Sequence, residues 1–403
     1  MTERRSTTPA PAVLARCRAE TRLVHGGGLR SQFDETSEAL YLTSGYVYSS
    51  AAQAEAAFEG SEDHDVYSRF SNPTLRMFEE RLRLLEGAEC CRSTATGMAA
   101  VFGAIAPLVK QGDRVVAARA LFGSCRHILA NILPRWGVEV VFVDGTDLAA
   151  WAAALATPAA LVFLETPANP TLDLVDLAAV ADLAHGAGAV VVVDNAFATP
   201  ILQTPLDLGC DIVTYSATKY MDGQGRCLGG AILGSDKLVG EVIHPFLRNT
   251  GPTLSPFNAW VMLKGLETLP LRMDRHCATA QRVAETLAGR GDLHAVRYPG
   301  LPGHPQHDLA RRQMRGFGGI VAFDLADKAA AFRFLDALAL VRISNNLGDS
   351  KTLCCHPWTT THQKVTPEDK RLQGIGEGTL RLSVGLEAAE DVIADLTQAL
   401  DRL

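Results

Sequence analysis

Lys219 stands in the stretch YSATKYMDGQG, with hydroxyls before it at Ser216 and Thr218 and glycines after it at Gly223 and Gly225. A solvated lysine needs no such setting, whereas a lysine that must lose its proton and meet an aldehyde does. Asp194 lies 25 residues upstream (219 − 194) and closes the apolar run VVVVD. A carboxylate at the end of a buried strand is costly unless a polar or cationic group faces it. Each feature has a plain structural reading: a turn-capping aspartate, small hydroxyls in a tight turn. Together at one sheet edge they match what pyridoxal phosphate needs. The lysine forms an imine, and the carboxylate keeps the pyridine nitrogen protonated so that the ring accepts carbanion electrons.

The phosphate of such a cofactor needs anion ligands. Ser216 and Thr218 offer hydroxyls beside the lysine. Independently, STATGMAAVFGA puts Gly97 and Met98 at a helix start, where free N–H groups and the helix dipole favour an anion. Gly97 also permits close backbone approach. Other motifs fail. HGGG at His25 to Gly28 resembles a hydrolase oxyanion loop, but no G-x-S-x-G elbow accompanies it. There is no G-x-x-x-x-G-K-[ST] phosphate loop, and GQGRCLGG does not fit G-x-G-x-x-G. His304 and His307, in HPQH, read as a surface loop rather than a metal site, and no metal is expected.

The elements that must position these residues are legible in the apolar pattern. Between Cys90 and about Ser235, the runs RVVAA, VEVVFVD, ALVFLE, AVVVVD, DIVTYS and GGAIL alternate with patterns of helical period such as TGMAAVFGAIAPLVK and DLAAVADLAHGAG. Runs apolar on both faces and separated by helices predict an α/β fold with a mostly parallel central sheet covered on both sides. Ligands of such sheets gather at the carboxyl ends of the strands. A helix-rich stretch follows from about Pro256. Short strands at GGIVAFDL and TLRLSVGL and a closing helix near Ala388 to Leu400 then suggest a smaller C-terminal α/β domain. The expected division is a flexible arm at 1–20, a segment at 21–65 that contacts a neighbouring subunit, a cofactor domain at 66–255 and a C-terminal domain at 256–403.

Composition agrees with a globular enzyme. The chain has 403 residues, 47% hydrophobic and 21% charged, and its net charge of −7 is spread without basic or acidic blocks. Nucleic acid and membranes are therefore not expected partners. The start lacks the apolar stretch of a secretory signal, and the nine cysteines form no C-x-x-C. A cytoplasmic location with free thiols is expected.

The motifs YSRFSNPT (Tyr67 to Thr74), ATGMAA, ETPANPT, VVVDNAFATP, YSATKYMDGQG and LRLSVGLE carry a resemblance that runs from about Thr21 to the end. The chain resembles the Cys/Met-metabolism family of pyridoxal-phosphate enzymes: cystathionine γ-synthase, the cystathionine lyases, methionine γ-lyase and the homoserine sulfhydrylases. Further stretches, such as LYLTSGYVYSS, DGQGRCLGG and ISNNLGDSKTL, turn the resemblance toward the sulfhydrylase branch. It implies the aspartate aminotransferase-like fold of type I, with Lys219 holding the cofactor, Asp194 on the pyridine nitrogen, and Gly97, Met98, Ser216 and Thr218 on the phosphate. It implies that Tyr67 and Arg69 reach a neighbouring subunit's phosphate in a homotetramer built from dimers. Asn169 would lie near the ring's phenolic oxygen, and Arg381 would grip the substrate carboxylate.

Two departures matter. Most members stack a tyrosine on the ring, where this chain has Phe122, a ring without a hydroxyl to move protons. Many have a serine where this chain has Asn346. The resemblance thus implies γ-replacement of an activated homoserine ester by sulfide, with cysteine as nucleophile or a lyase reaction as alternatives. The ester is expected to be succinyl, with acetyl the alternative, and Arg126 is a candidate for a second substrate carboxylate.

Overall fold

The computed structural model describes residues 9–403; residues 1–8 of the expected N-terminal arm lie outside the described residues. Seven strands form the larger sheet: β1 (Cys90–Thr94), β2 (Arg114–Ala118), β3 (Glu139–Val143), β4 (Leu161–Glu165), β5 (Val190–Asp194), β6 (Ile212–Tyr215) and β7 (Gly230–Gly234). Their order is β1-β7-β6-β5-β4-β2-β3. Strands β2 to β6 run parallel to one another, as the helix-separated apolar runs require. Strand β7, the GGAIL run, is antiparallel to both β6 and β1. A loop without a crossover helix joins β6 to β7, and only such a crossover returns a chain parallel. Strand β1 is absent from the sequence-derived set because CCRST looks too polar. It nevertheless pairs along β7 from Cys90↔Gly234 to Thr94↔Gly230.

Side-chain alternation feeds two cores. Cys90, Ile212 and Ile232 turn to the face covered by helices Gly97–Ile105 and Leu177–Gly186. Cys91, Val213 and Leu233 turn to the face covered by helices Pro73–Glu86 and Pro256–Leu266. Helix Pro73–Glu86 begins where the Asn72 side chain accepts the Thr74 N–H and Pro73 fills the first turn, and it ends at Gly87 with φ +79°. Helix Pro256–Leu266 lies beyond the expected boundary at 255/256, yet it shares a core with Pro73–Glu86, so packing is continuous there.

The smaller sheet comprises β8 (Ala295–Arg297), β9 (Ile320–Asp324), β10 (Arg342–Ile343), β11 (Leu353–Cys355) and β12 (Thr379–Ser383), in the order β10-β11-β12-β9-β8. GGIVAFDL and TLRLSVGL are β9 and β12. Helices Leu269–Ala288, Lys328–Ala337 and Ala389–Leu400 supply its core.

All nine cysteines are free, six of them buried. The reading of His304 as part of a surface loop is corrected: it is 8% exposed, and burial holds its imidazole down at about 4. No His/Cys/Asp/Glu group suited to a metal occurs among the described residues, and none of their helices is long and apolar enough to cross a membrane. The segment after helix Ala19–His25 is largely irregular and leaves Phe33 80%, Leu42 70% and Val47 90% exposed.

Glu86 makes one buried feature testable. Its Oε2 accepts from the Tyr215 hydroxyl, which in turn accepts from Asn195 Nδ2 at 2.8 Å. Burial pushes its carboxyl up to about 8, with the Tyr215 hydrogen bond opposing. The folded state therefore keeps a proton that the unfolded chain has lost. Stability from this group is fully present below the ordinary carboxyl range and is lost as pH rises toward about 8. Glu86→Gln should thus raise Tm relative to the parent more at about pH 8.5 than at about pH 5. An equal difference at both values would show that Glu86 does not titrate in this way.

Candidate active site

Parallel pairing of β5 and β6 sets Asp194 opposite Thr214, so both chains leave the sheet at the same edge. Four residues past β6, Lys219 donates from Nζ to Asn346 Oδ1 at 2.7 Å. Asn346 comes from the loop after β10, so Lys219 lies between the two sheets. Burial lowers its ammonium to about 8; the nearby Arg381 cation adds to the effect and Asp194 opposes it. Asp194 keeps some exposed surface, but enough protein surrounds it that burial raises its carboxyl to about 6. The Ala196 N–H, donated to Oδ1 at 3.1 Å, and Lys219 both oppose that rise. Near neutral pH the pair is thus an ionised carboxylate and a lysine that readily gives up its proton.

The anion cradle is built from close approach. A Cβ on Gly97 would lie 2.6 Å from Ser216 Cβ, so only glycine lets the helix start sit against the turn after β6. Thr96 caps helix Gly97–Ile105 by accepting the Ala99 N–H at 3.0 Å. The N–H groups of Gly97 and Met98 make no hydrogen bond among the described residues. Ser216 flanks them. The Thr218 hydroxyl is turned elsewhere: it donates to Gly229 O at 3.2 Å and accepts the Gly229 N–H at 3.0 Å.

Arg381, on β12, is 2% exposed and has no carboxylate partner among the described residues. Its Nη1 donates to Asn169 Oδ1 at 3.0 Å and its Nη2 to Asn345 O at 2.8 Å, while Nε is buried without a partner. A buried cation held only by neutral oxygens suits an incoming carboxylate. Phe122 opens the short helix Gly123–His127 and packs partly buried beside the first core. Arg126 is partly engaged within the chain, with Nη1 buried and without a partner. Its Nη2 pairs with Asp369 at 2.9 Å and its guanidinium lies 4.5 Å from the Phe142 ring centroid.

Tyr67 and Arg69 are not brought to this cleft within the chain. Both are exposed, and Arg69 donates to Arg248 O with its guanidinium 4.8 Å from the Phe70 ring. Sequence reasoning missed Glu165, which ends β4 in register with Asp194. The signal was present: ALVFLE closes on a carboxylate as AVVVVD does.

The residues present fit pyridoxal phosphate: a deprotonable lysine, a strand-end carboxylate, an unfilled helix N-terminus that no side chain at 97 could share, and an unpaired buried cation. Residues 20–401 match the family model described as "Cys/Met metabolism PLP-dependent enzyme". The chain is 57% identical over 382 residues to the O-succinylhomoserine sulfhydrylase of Mycobacterium tuberculosis, covering 94% of each. It is 48% identical to that of Pseudomonas aeruginosa, covering 95% of each, and 42% identical to the L-methionine γ-lyase of Porphyromonas gingivalis, covering 95% of this chain and 97% of that one. Among solved structures it superposes on cystathionine γ-synthase from Xanthomonas oryzae pv. oryzae, with a TM-score of 0.91, 34% identity and coverage of 96% and 98%. A Campylobacter jejuni structure carrying N'-pyridoxyl-lysine-5'-monophosphate gives a TM-score of 0.91 at 31% identity, covering 96% of this chain and all of that one (100%). The chain belongs to the Cys/Met-metabolism family of pyridoxal-phosphate-dependent enzymes.

Proposed function

We propose that the chain catalyses γ-replacement on O-succinyl-L-homoserine, with hydrogen sulfide as nucleophile, giving L-homocysteine and succinate. The observation that carries this reading is the convergence of Lys219, Asp194 and an Arg381 free of carboxylates in the cleft between the two sheets. The ester and the sulfide are supported by the name that the Mycobacterium tuberculosis and Pseudomonas aeruginosa relatives share.

Bound in this cleft, pyridoxal phosphate supplies an electrophilic carbon for the substrate amine and a ring that accepts electrons. Asp194 would hold the proton on the cofactor's pyridine nitrogen. The Gly97 and Met98 N–H groups and the Ser216 and Thr218 hydroxyls would hold its phosphate, Thr218 once released from Gly229 O. Phe122 would pack on the ring, and Asn169 would lie by its phenolic oxygen. Arg381 grips the substrate α-carboxylate, with Nε free for it, and Asn346 lies beside that carboxylate. Lys219 moves the protons one at a time, taking that of Cα and, once it has given this up, one from Cβ; a pKa of about 8 suits it to accept and return them near neutral pH. The Cγ–O bond then breaks, succinate departs, HS⁻ forms the Cγ–S bond, and the protons return. The assembly is read as a homotetramer of dimers in which Tyr67 and Arg69 complete the neighbouring site. Nine free cysteines accord with a cytoplasmic setting.

Phe122 decides between nucleophiles. An incoming cysteine brings an ammonium and a carboxylate, for which a phenyl ring offers no partner. Sulfide needs only a narrow apolar route. Leaving one polar group unpaired against Phe122 disfavours cysteine by roughly ten- to a hundred-fold. Offered both nucleophiles together with the succinyl or the acetyl ester, the enzyme should give predominantly homocysteine, and faster from the succinyl ester. Predominant cystathionine would overturn the choice of nucleophile, and faster turnover of the acetyl ester the choice of acyl group.

A further inference from the structure

Glu165 is a buried carboxyl to which the proposed chemistry assigns no task. It ends β4 as Asp194 ends β5, and the parallel register places the two side by side. Its two oxygens point to two different turns. Oε2 accepts the Phe122 N–H at 2.7 Å, in the turn after β2, and Oε1 accepts the Asn169 N–H at 3.1 Å, in the turn after β4. Those turns carry the two side chains read above as facing the ring. Asn169 passes the constraint onward, since its Oδ1 accepts from Arg381 Nη1 at 3.0 Å. A side chain that merely filled space would need no acceptors here. A glutamine of the same shape has only one acceptor oxygen, and its NH₂ would meet the second N–H donor to donor.

We propose that Glu165 is a positioning residue: its carboxyl pins the Phe122 and Asn169 turns together and so sets how the cofactor ring lies relative to Lys219. This rests on the cofactor reading above. The electrostatics agree. Burial, then the neighbouring Asp194, push the Glu165 carboxyl well above the usual range, against the two N–H groups and Arg381. The two N–H groups and Arg381 partly offset that rise, and the N–H groups occupy both carboxyl oxygens as acceptors.

The test uses the holoenzyme and its Glu165→Gln variant. Hydrogen exchange read by mass spectrometry should find the segments around Phe122 and Asn169 protected in the parent protein. In the variant, protection should fall in those two segments alone. The circular dichroism induced in the cofactor absorption band should drop at least about two-fold, and kcat should fall roughly tenfold with KM for the ester little changed, as expected when a buried hydrogen bond is lost from the working geometry alone. An unchanged band and unchanged exchange at both segments would overturn the proposal. So would an even loss of protection across the sheet, which would make Glu165 a general stabiliser. If the variant does not fold, unprotected Phe122 and Asn169 segments in the parent overturn the proposal and protected ones support it. A parent protein that shows no cofactor band at all sinks the cofactor reading instead, so the two failures are distinguishable.

Discussion

Lys219→Ala should fold, bind no cofactor through an imine, and lose turnover by at least about 10⁴-fold, because one side chain serves as both attachment point and proton carrier. The folded protein tolerates the change for an electrostatic reason. Burial lowers the Lys219 ammonium to about 8, with Arg381 contributing and Asp194 opposing. Between about 8 and its ordinary value the unfolded chain binds the proton that the folded chain has lost, so stability contributed by this group rises with pH through that window and is lacking below it. At neutral pH the native lysine is thus a cost, and its removal offsets the packing lost with the side chain. The measurements are the absorbance of the purified variant, borohydride reduction followed by mass analysis, and the turnover rate. Cofactor that borohydride still fixes to the variant would move the attachment point to another lysine.

Mixing Arg69→Ala with Lys219→Ala protomers should return activity from two nearly dead proteins. If each site takes Lys219 from one chain and Arg69 from its neighbour, half of the randomly exchanged dimers are mixed, and one of the two sites in each is intact. Roughly a quarter of the parent activity should then appear, as two-fold pairing of identical surfaces requires. The geometry motivating this is what Arg69 touches within its own chain. Arg69 is occupied by Arg248 O and the Phe70 ring and makes no contact with Lys219 or Asp194. The exposed apolar residues of the nearby N-terminal segment, with Val47 90% and Phe33 80% exposed, offer a surface for the neighbour to cover. Mixed dimers that stay inactive, once mixing is verified, would place both groups in the same chain's site.

What the sequence by itself determined is the part of the protein carried by local pattern. Apolar runs of strand length between helical periods imposed the parallel core from β2 to β6, and with it the common edge of Asp194 and Lys219. Glycine at 97 announced a close approach, which the Ser216 contact explains. Tertiary structure alone decided the reversal of β7, because direction depends on whether a helix intervenes and GGAIL reads alike in either sense. It also decided which side chains meet. Asn346 reaches Lys219 across 127 residues of chain, and Arg381 reaches Asn169 across 212. Glu165 was tied to Phe122 and Asn169, Arg126 was given to Asp369, and Thr218 was turned to Gly229 in the same way. Periodicity reports which face of an element is apolar. The partner of a buried polar group is set instead by where separate elements pack, since each such group must find whatever donor or acceptor that packing brings within reach.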